Sequence, residues 1–234
     1  MSNTYFDFRQ FRINQDRCAM KVGTDGVLLG AWFELNKGDN VLDIGTGTGL
    51  VSLMAAQRGA GHVTGVEIDH DAAGQALENV NNSPYASIIT ILESDANSFA
   101  SDYTFDRIVC NPPYFRNSLR CPDENRNNAR HNDTLSYEQL VQIAACLLSQ
   151  DGRFSVILPA ENTDEFTKIS AKSGLFPTSV CDIVTVIGKT PKRRLLSFSK
   201  KSADPEFSTL VMCNPDGSKT AEFIGLISPF YIRF

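Results

Sequence analysis

Little in this sequence supports disulfide, metal or membrane chemistry. The six cysteines, at positions 18, 110, 121, 146, 181 and 213, stand singly, with no Cys-x-x-Cys and no histidine at a ligand-like spacing. With no apolar leader at the start, that pattern predicts reduced thiols, a cytoplasmic protein and no bound metal. Charges interrupt every apolar block well before the ~20 residues that a membrane helix needs, so no membrane partner is expected. Positive charge is not in excess either: 22 Lys and Arg face 27 Asp and Glu, for a net charge of −5. A global field therefore does not announce a nucleic-acid binder, and any such contact has to come from local basic patches. Repeats and low-complexity tracts are missing, nothing indicates an oligomer, and a monomer is expected.

What is present is an ordinary globular composition, 42% hydrophobic over 234 residues, enough for one large α/β domain. The organisation expected is a single domain over 1–234: an N-terminal extension with short strands (1–39), a catalytic core (40–200) and a C-terminal extension (201–234). Phe6, Phe8, Phe11 and Ile13 alternate with polar neighbours and predict one or two short edge strands. Apolar runs at 40–45, 63–67, 88–92, 105–110 and 153–158 do not alternate, as suits strands buried on both faces. Helical periodicity fills 49–58, 71–81, 136–149 and 161–173, and this alternation implies a mostly parallel sheet with helices on both faces. After Gly174 come three strand-like segments in succession, 178–187, 193–200 and 207–213, so an antiparallel pair should close the sheet. Asn214-Pro215-Asp216-Gly217 is a turn signal, and 115–135 is a long polar loop of the kind that is often functional.

The first site signal is Val41-Leu42-Asp43-Ile44-Gly45-Thr46-Gly47-Thr48-Gly49, a strand running into three close glycines ahead of a helix. Such glycines let the backbone turn sharply and approach a ligand. The dinucleotide fingerprint would have a glycine at position 50, where this chain has Leu50. Asp43 suits a cationic ligand and would repel a phosphate. Glu67, eighteen residues after Gly49, ends the next strand, where a carboxylate can accept both hydroxyls of a ribose. Asp95, in Glu93-Ser94-Asp95-Ala96, ends the third strand; an adenine contact and a helix N-cap are both open for it.

The second signal names a chemistry. Asn111-Pro112-Pro113-Tyr114 follows strand 105–110 at the edge where open α/β sheets bind ligands. An amine conjugated to a ring is a poor nucleophile because its lone pair is delocalised. Two acceptors aimed at its hydrogens, the Asn111 side-chain oxygen and the Pro112 carbonyl, would draw it towards tetrahedral geometry. Tyr114 offers a face on which a base can stack, worth ~1–3 kcal/mol.

Glycine corner, later acid and Asn-Pro-Pro-Tyr together resemble class I S-adenosylmethionine-dependent methyltransferases that act on amino groups. The block Cys18-Ala19-Met20-Lys21-Val22-Gly23-Thr24-Asp25-Gly26-Val27-Leu28-Leu29-Gly30-Ala31-Trp32 sharpens this to the bacterial tRNA1(Val) (adenine(37)-N6)-methyltransferase family. Similarity continues through 79–84, Ala129-Arg130-His131, Pro191-Lys192-Arg193 and 230–234. The resemblance implies a Rossmann-like fold with a mostly parallel seven-stranded sheet, helices on both faces and an antiparallel C-terminal strand. It also implies methylation of adenine N6 in tRNA. By it, Asp43, Gly45, Gly47, Glu67 and Asp95 hold the cofactor, and Lys21, Thr24 and Asp25 sit at its methionine end. Asn111 would touch both cofactor and target amine, with Pro112 and Tyr114 completing the catalytic set.

Two basic clusters could form a phosphate track around a flipped base: Arg116, Arg120, Arg126, Arg130 and His131 in one, Lys189, Lys192, Arg193 and Arg194 in the other, with Lys200 and Lys201 soon after. A solvated charged loop is the competing reading of each. Alternative activities are N2-methylation of guanine in ribosomal RNA, N5-methylation of a protein glutamine, and a non-catalytic scaffold that binds S-adenosylmethionine.

Overall fold

The computed structural model describes residues 3–18, 20–112 and 135–233. Two short strands, β1 (Tyr5–Asp7) and β2 (Arg12–Asn14), pair antiparallel with each other. They were expected at the edge of the main sheet. They form instead a separate two-stranded ribbon, docked on the molecule by the aromatic cluster Phe6, Phe8, Phe11 and Tyr231.

The remaining strands are β3 (Asn40–Ile44), β4 (His62–Glu67), β5 (Ile89–Glu93), β6 (Phe105–Cys110), β7 (Leu148–Pro159), β8 (Phe176–Val186), β9 (Arg193–Ser199) and β10 (Glu206–Cys213). They make one sheet of order β10-β8-β9-β7-β6-β3-β4-β5. The sheet thus has eight strands where the resemblance implied seven. The extra one is β10, which pairs parallel with β8 at the far edge. The antiparallel strand is β9, inserted between β7 and β8 and bonded to both. Gly188, at φ 81°, lets the chain fold back from β8 into β9.

Six α-helices lie among the described residues: α1 (Thr24–Trp32), α2 (Leu50–Gln57), α3 (His70–Asn81), α4 (Tyr137–Leu147), α5 (Thr163–Lys172) and α6 (Ala221–Ile227). Helices α2 to α5 fall where the periodicity predicts them. Helix α1 was not expected, for a physical reason: Gly26 to Ala31 are all buried, so it has no polar stripe and no amphipathic period. It packs so closely on α2 that a Cβ on Gly30 would stand 2.6 Å from the Met54 sulfur.

Two apolar layers cover the two faces of the sheet. Val41, Val63, Val109 and Leu195 join α1, α2 and α6 on one side. Leu42, Val66, Ile108 and Leu196 join α4 and α5 on the other. Neighbouring strand residues go to opposite layers because side chains alternate along a strand. The C-terminal ends of β3, β4 and β6 meet at one edge of this sandwich, and the site lies there.

Candidate active site

A cavity of about 760 Å³ opens at that edge, within the range usual for small-molecule sites. Its floor is the turn after β3. Gly45, Gly47 and Gly49 have φ values of 71°, 57° and 80°, a region that side-chain-bearing residues rarely enter. A Cβ on Gly45 or Gly47 would meet no protein atom within 4 Å, so both peptides border open space. The N–H groups of Gly45 and Thr46 donate to the Val66 carbonyl at 2.8 and 3.1 Å, which ties the turn to the end of β4.

Asp43 braces the turn from below. It is 2% exposed, and its Oδ2 accepts from the Thr46 hydroxyl at 2.7 Å and the Ser52 hydroxyl at 2.8 Å. Burial raises the carboxyl to about 6, against the lowering effect of those two hydroxyls. Asp43 also lines the cavity, but much of its acceptor capacity is spent on the loop and on α2. Thr46 and Ser52 are the partners that motif reading missed; the signal available was two hydroxyls three and nine residues after the acid.

Glu67 closes the same wall. One carboxylate oxygen accepts from the Gly47 N–H at 2.9 Å, the other from the N–H groups of Ile68 and Asp69 at 3.0 Å each. An ionised carboxylate has about four acceptor positions, so capacity for a further donor remains. Asp95 is exposed at the rim and accepts from the Asn97 backbone and side chain at 2.9 and 3.0 Å, organising a turn. No helix begins here, only a turn, so Asp95 is not the helix N-cap that was one expectation; its place at the rim is compatible with an adenine contact. Met20 and Ile68, about half exposed, add apolar wall that the sequence did not flag.

Asn111 and Pro112 line the cavity next to the glycine turn. Asn111 Oδ1 is buried and has no hydrogen-bond partner among the described residues. An acceptor withdrawn from water without a partner costs ~1–3 kcal/mol, so its presence at the floor of a cavity calls for a ligand donor. Cys110 beneath it is a neutral thiol, held well above its ordinary pKa by burial. Lys21, Thr24 and Asp25 also line the cavity. Tyr114, Arg116, Arg120, Arg126, Arg130 and His131 lie outside the described residues.

The structure separates the second basic cluster. Lys192 is exposed. Arg193 and Arg194 are consecutive on β9, so they project to opposite faces. Arg193 turns to the α1 side, where its Nε lies 2.9 Å from Asp25 Oδ2 at the cavity. Arg194 turns to the α5 side, pairing with Asp182 at 2.5 Å and donating to the Thr163 hydroxyl at 2.9 Å. It lines a different, smaller cavity and is not brought to the site. Lys200 donates to the Leu148 carbonyl and Lys201 pairs with Asp151.

Comparison with known proteins agrees with this geometry. The methyltransferase small domain model matches residues 18–167, which takes in the 18–32 block, the glycine turn and Asn111. A tRNA1(Val) (adenine(37)-N6)-methyltransferase of Bacteroides fragilis is 44% identical over 236 residues, covering all of both chains. One from Histophilus somni is 45% identical over 98% of each. The chain belongs to the tRNA1(Val) (adenine(37)-N6)-methyltransferase family. Among solved structures, an Agrobacterium tumefaciens protein described as a predicted O-methyltransferase superposes with a TM-score of 0.68 at 20% identity, covering 88% of this chain and 96% of that one. The T. Thermophilus 16S rRNA N2 methyltransferase RsmC, solved with AdoMet and guanosine, gives 0.57 at 22%, covering 82% and 47%. At these identities the two solved structures bear on fold alone, and the fold they share with this chain is a Rossmann-like α/β sandwich.

Proposed function

We propose that this chain transfers a methyl group from S-adenosylmethionine to the N6 amino group of adenine 37 in tRNA1(Val). The substrate follows the names of the full-length relatives. The observation that carries the chemistry is Asn111 Oδ1, buried on the cavity floor without a partner among the described residues. It can accept one hydrogen of a planar amine, with the Pro112 carbonyl taking the other, so the nitrogen lone pair is turned out of conjugation towards the methyl group.

The open peptides at Gly45 and Gly47 fit the cofactor, because they allow a ligand to lie against the backbone. The bound cofactor supplies an electrophilic methyl on a cationic sulfur. Glu67 would take the ribose hydroxyls with its remaining acceptor capacity, and Asp95 the adenine amine at the rim. Lys21 and Thr24 would hold the amino-acid end, while Asp43 keeps the turn in shape through Thr46 and Ser52. Lys192, exposed next to Arg193 in the chain, offers a cation for an RNA phosphate. Residues 1–234 act in this reading as one domain, monomeric and cytoplasmic.

The test is a transfer assay with labelled S-adenosylmethionine and unmodified total tRNA, ribosomal RNA or protein, followed by nucleoside analysis. N6-methyladenosine in one tRNA is the expected product. Label in guanosine, in ribosomal RNA or in protein glutamine would reassign the substrate, and cofactor binding without label anywhere would leave a scaffold.

A further inference from the structure

Neither the cofactor nor the amine reading uses the ion pair between Asp25 and Arg193, residues 168 apart in the chain. Both side chains are under one third exposed, so solvent screens the pair less than it would a surface contact. Asp25 belongs to the first turn of α1 and lines the cavity. Arg193 opens β9, where it stands opposite Ile183 on β8 and Pro159 on β7. Strand β9 is two places from β6, so the pair reaches back across about 10 Å of sheet towards the strand that Asn111 follows.

What lies between is the first turn of α1. A methyl group on Gly26 would stand 3.1 Å from the Leu50 side chain and 3.8 Å from the Asn111 amide nitrogen, so this turn lies within one methyl group of the Asn111 side chain. Among the described residues no donor reaches Oδ1, so none of their hydrogen bonds to that oxygen sets the orientation of the amide. Packing must contribute to it. Yet this turn starts at Gly23, which supplies no side-chain hydrogen bond to hold the helix end. A charged tie to the sheet does this instead.

We infer that Asp25 and Arg193 are positioning residues: their ion pair clamps the first turn of α1 against Asn111, so the acceptor oxygen is aimed before the base arrives. The inference rests on Asn111 being the acceptor of the target amine. Arg193 then acts within the protein, and contact with RNA phosphate is left to its exposed neighbour Lys192.

Asp25→Asn and Arg193→Gln should each lower kcat on tRNA about tenfold, since an ångström of misplacement can cost more than that. For Arg193→Gln the KM for tRNA and the affinity for S-adenosylhomocysteine, measured by calorimetry, should change little. The charge-exchanged double variant, Asp25→Arg with Arg193→Asp, should recover most of kcat. Gly26→Ala should also lower kcat, although alanine favours a helix by ~1 kcal/mol over glycine. Four results would overturn the clamp: single variants with unchanged kcat; a double variant no faster than the singles; a loss confined to KM for tRNA, as a phosphate contact would give; or, for Arg193→Gln, an equal loss of S-adenosylhomocysteine affinity. Failure of the proposed function shows separately, as wild-type enzyme that makes no N6-methyladenosine.

Discussion

The two walls of the cavity are built in opposite ways. The glycine-turn wall is local: Asp43, Thr46 and Ser52 are bonded to one another within nine residues, and Glu67 closes on Gly47 from the adjacent strand. The other wall is assembled from distant parts, with the Cys18 to Gly26 segment held by an arginine near the other end of the chain. The first wall is rigid by its own hydrogen bonds and suits a cofactor common to many enzymes. The second depends on tertiary contacts and adjoins the atom that would meet the substrate. The difference suggests that cofactor affinity and turnover can be damaged separately.

The strongest test of that separation is Asn111→Ala. Loss of a preorganised polar contact to a reacting group typically costs about 100- to 1,000-fold in kcat, while S-adenosylhomocysteine affinity should stay near wild type. Equal loss of both, measured by calorimetry beside the transfer assay, would merge the two walls into one unit.

Gly47→Val should do the reverse. It forces a β-branched residue into a left-handed conformation and puts its side chain into the open space beside the turn. Cofactor affinity is expected to fall at least about tenfold, the equivalent of ~1–2 kcal/mol for such a backbone. A variant that binds the cofactor normally would show that this turn does not carry the ligand.

Asp43 gives a pH signature to the local wall. Its folded carboxyl titrates near 6, above the ~3.9 of an unfolded aspartate. The folded chain thus holds this proton more tightly, and the resulting stability is complete below the unfolded value and lost as pH rises through 6. For a fully buried group this is about 3 kcal/mol. Urea unfolding of Asp43→Asn against wild type between pH 4 and 7 should show that slope removed. Parallel curves would mean that Asp43 is not so perturbed.

The smallest effect separates Lys192 from Arg194. Lys192→Gln should raise KM for tRNA and reduce the salt dependence of binding by about one unit of slope. Arg194→Gln should leave both alone and cost about 1 kcal/mol of stability through Asp182 and Thr163. An RNA effect from Arg194 would place the substrate on the other face of the sheet.

Much of this was legible in the residues. Strands β3, β4, β6 and β7 announce themselves because a strand buried on both faces is continuously apolar, and the glycine turn because left-handed backbone needs glycine. Asn111 and Glu67 could be placed because they stand at the ends of such strands. Strand β5 has the apolar run but is a largely exposed edge strand, not the doubly buried one expected at 88–92. Helix α1 was illegible because it is apolar all round; β10 was legible from its run at 207–213, but its parallel pairing with β8 at the sheet edge was not. The count of basic residues at 192–194 was legible, but their distribution over two faces was not.

By itself, then, the sequence determined the parallel α/β sandwich, the cofactor corner and the amine-directed chemistry, because each depends on residues close together in the chain. Only the tertiary structure decided that Asp43 braces the turn, that Asn111 Oδ1 is left without a partner among the described residues, and that Arg193 faces the site while Arg194 turns away. Those outcomes depend on which strands become neighbours and which face each side chain meets, and contacts across 168 residues leave no local trace in the sequence.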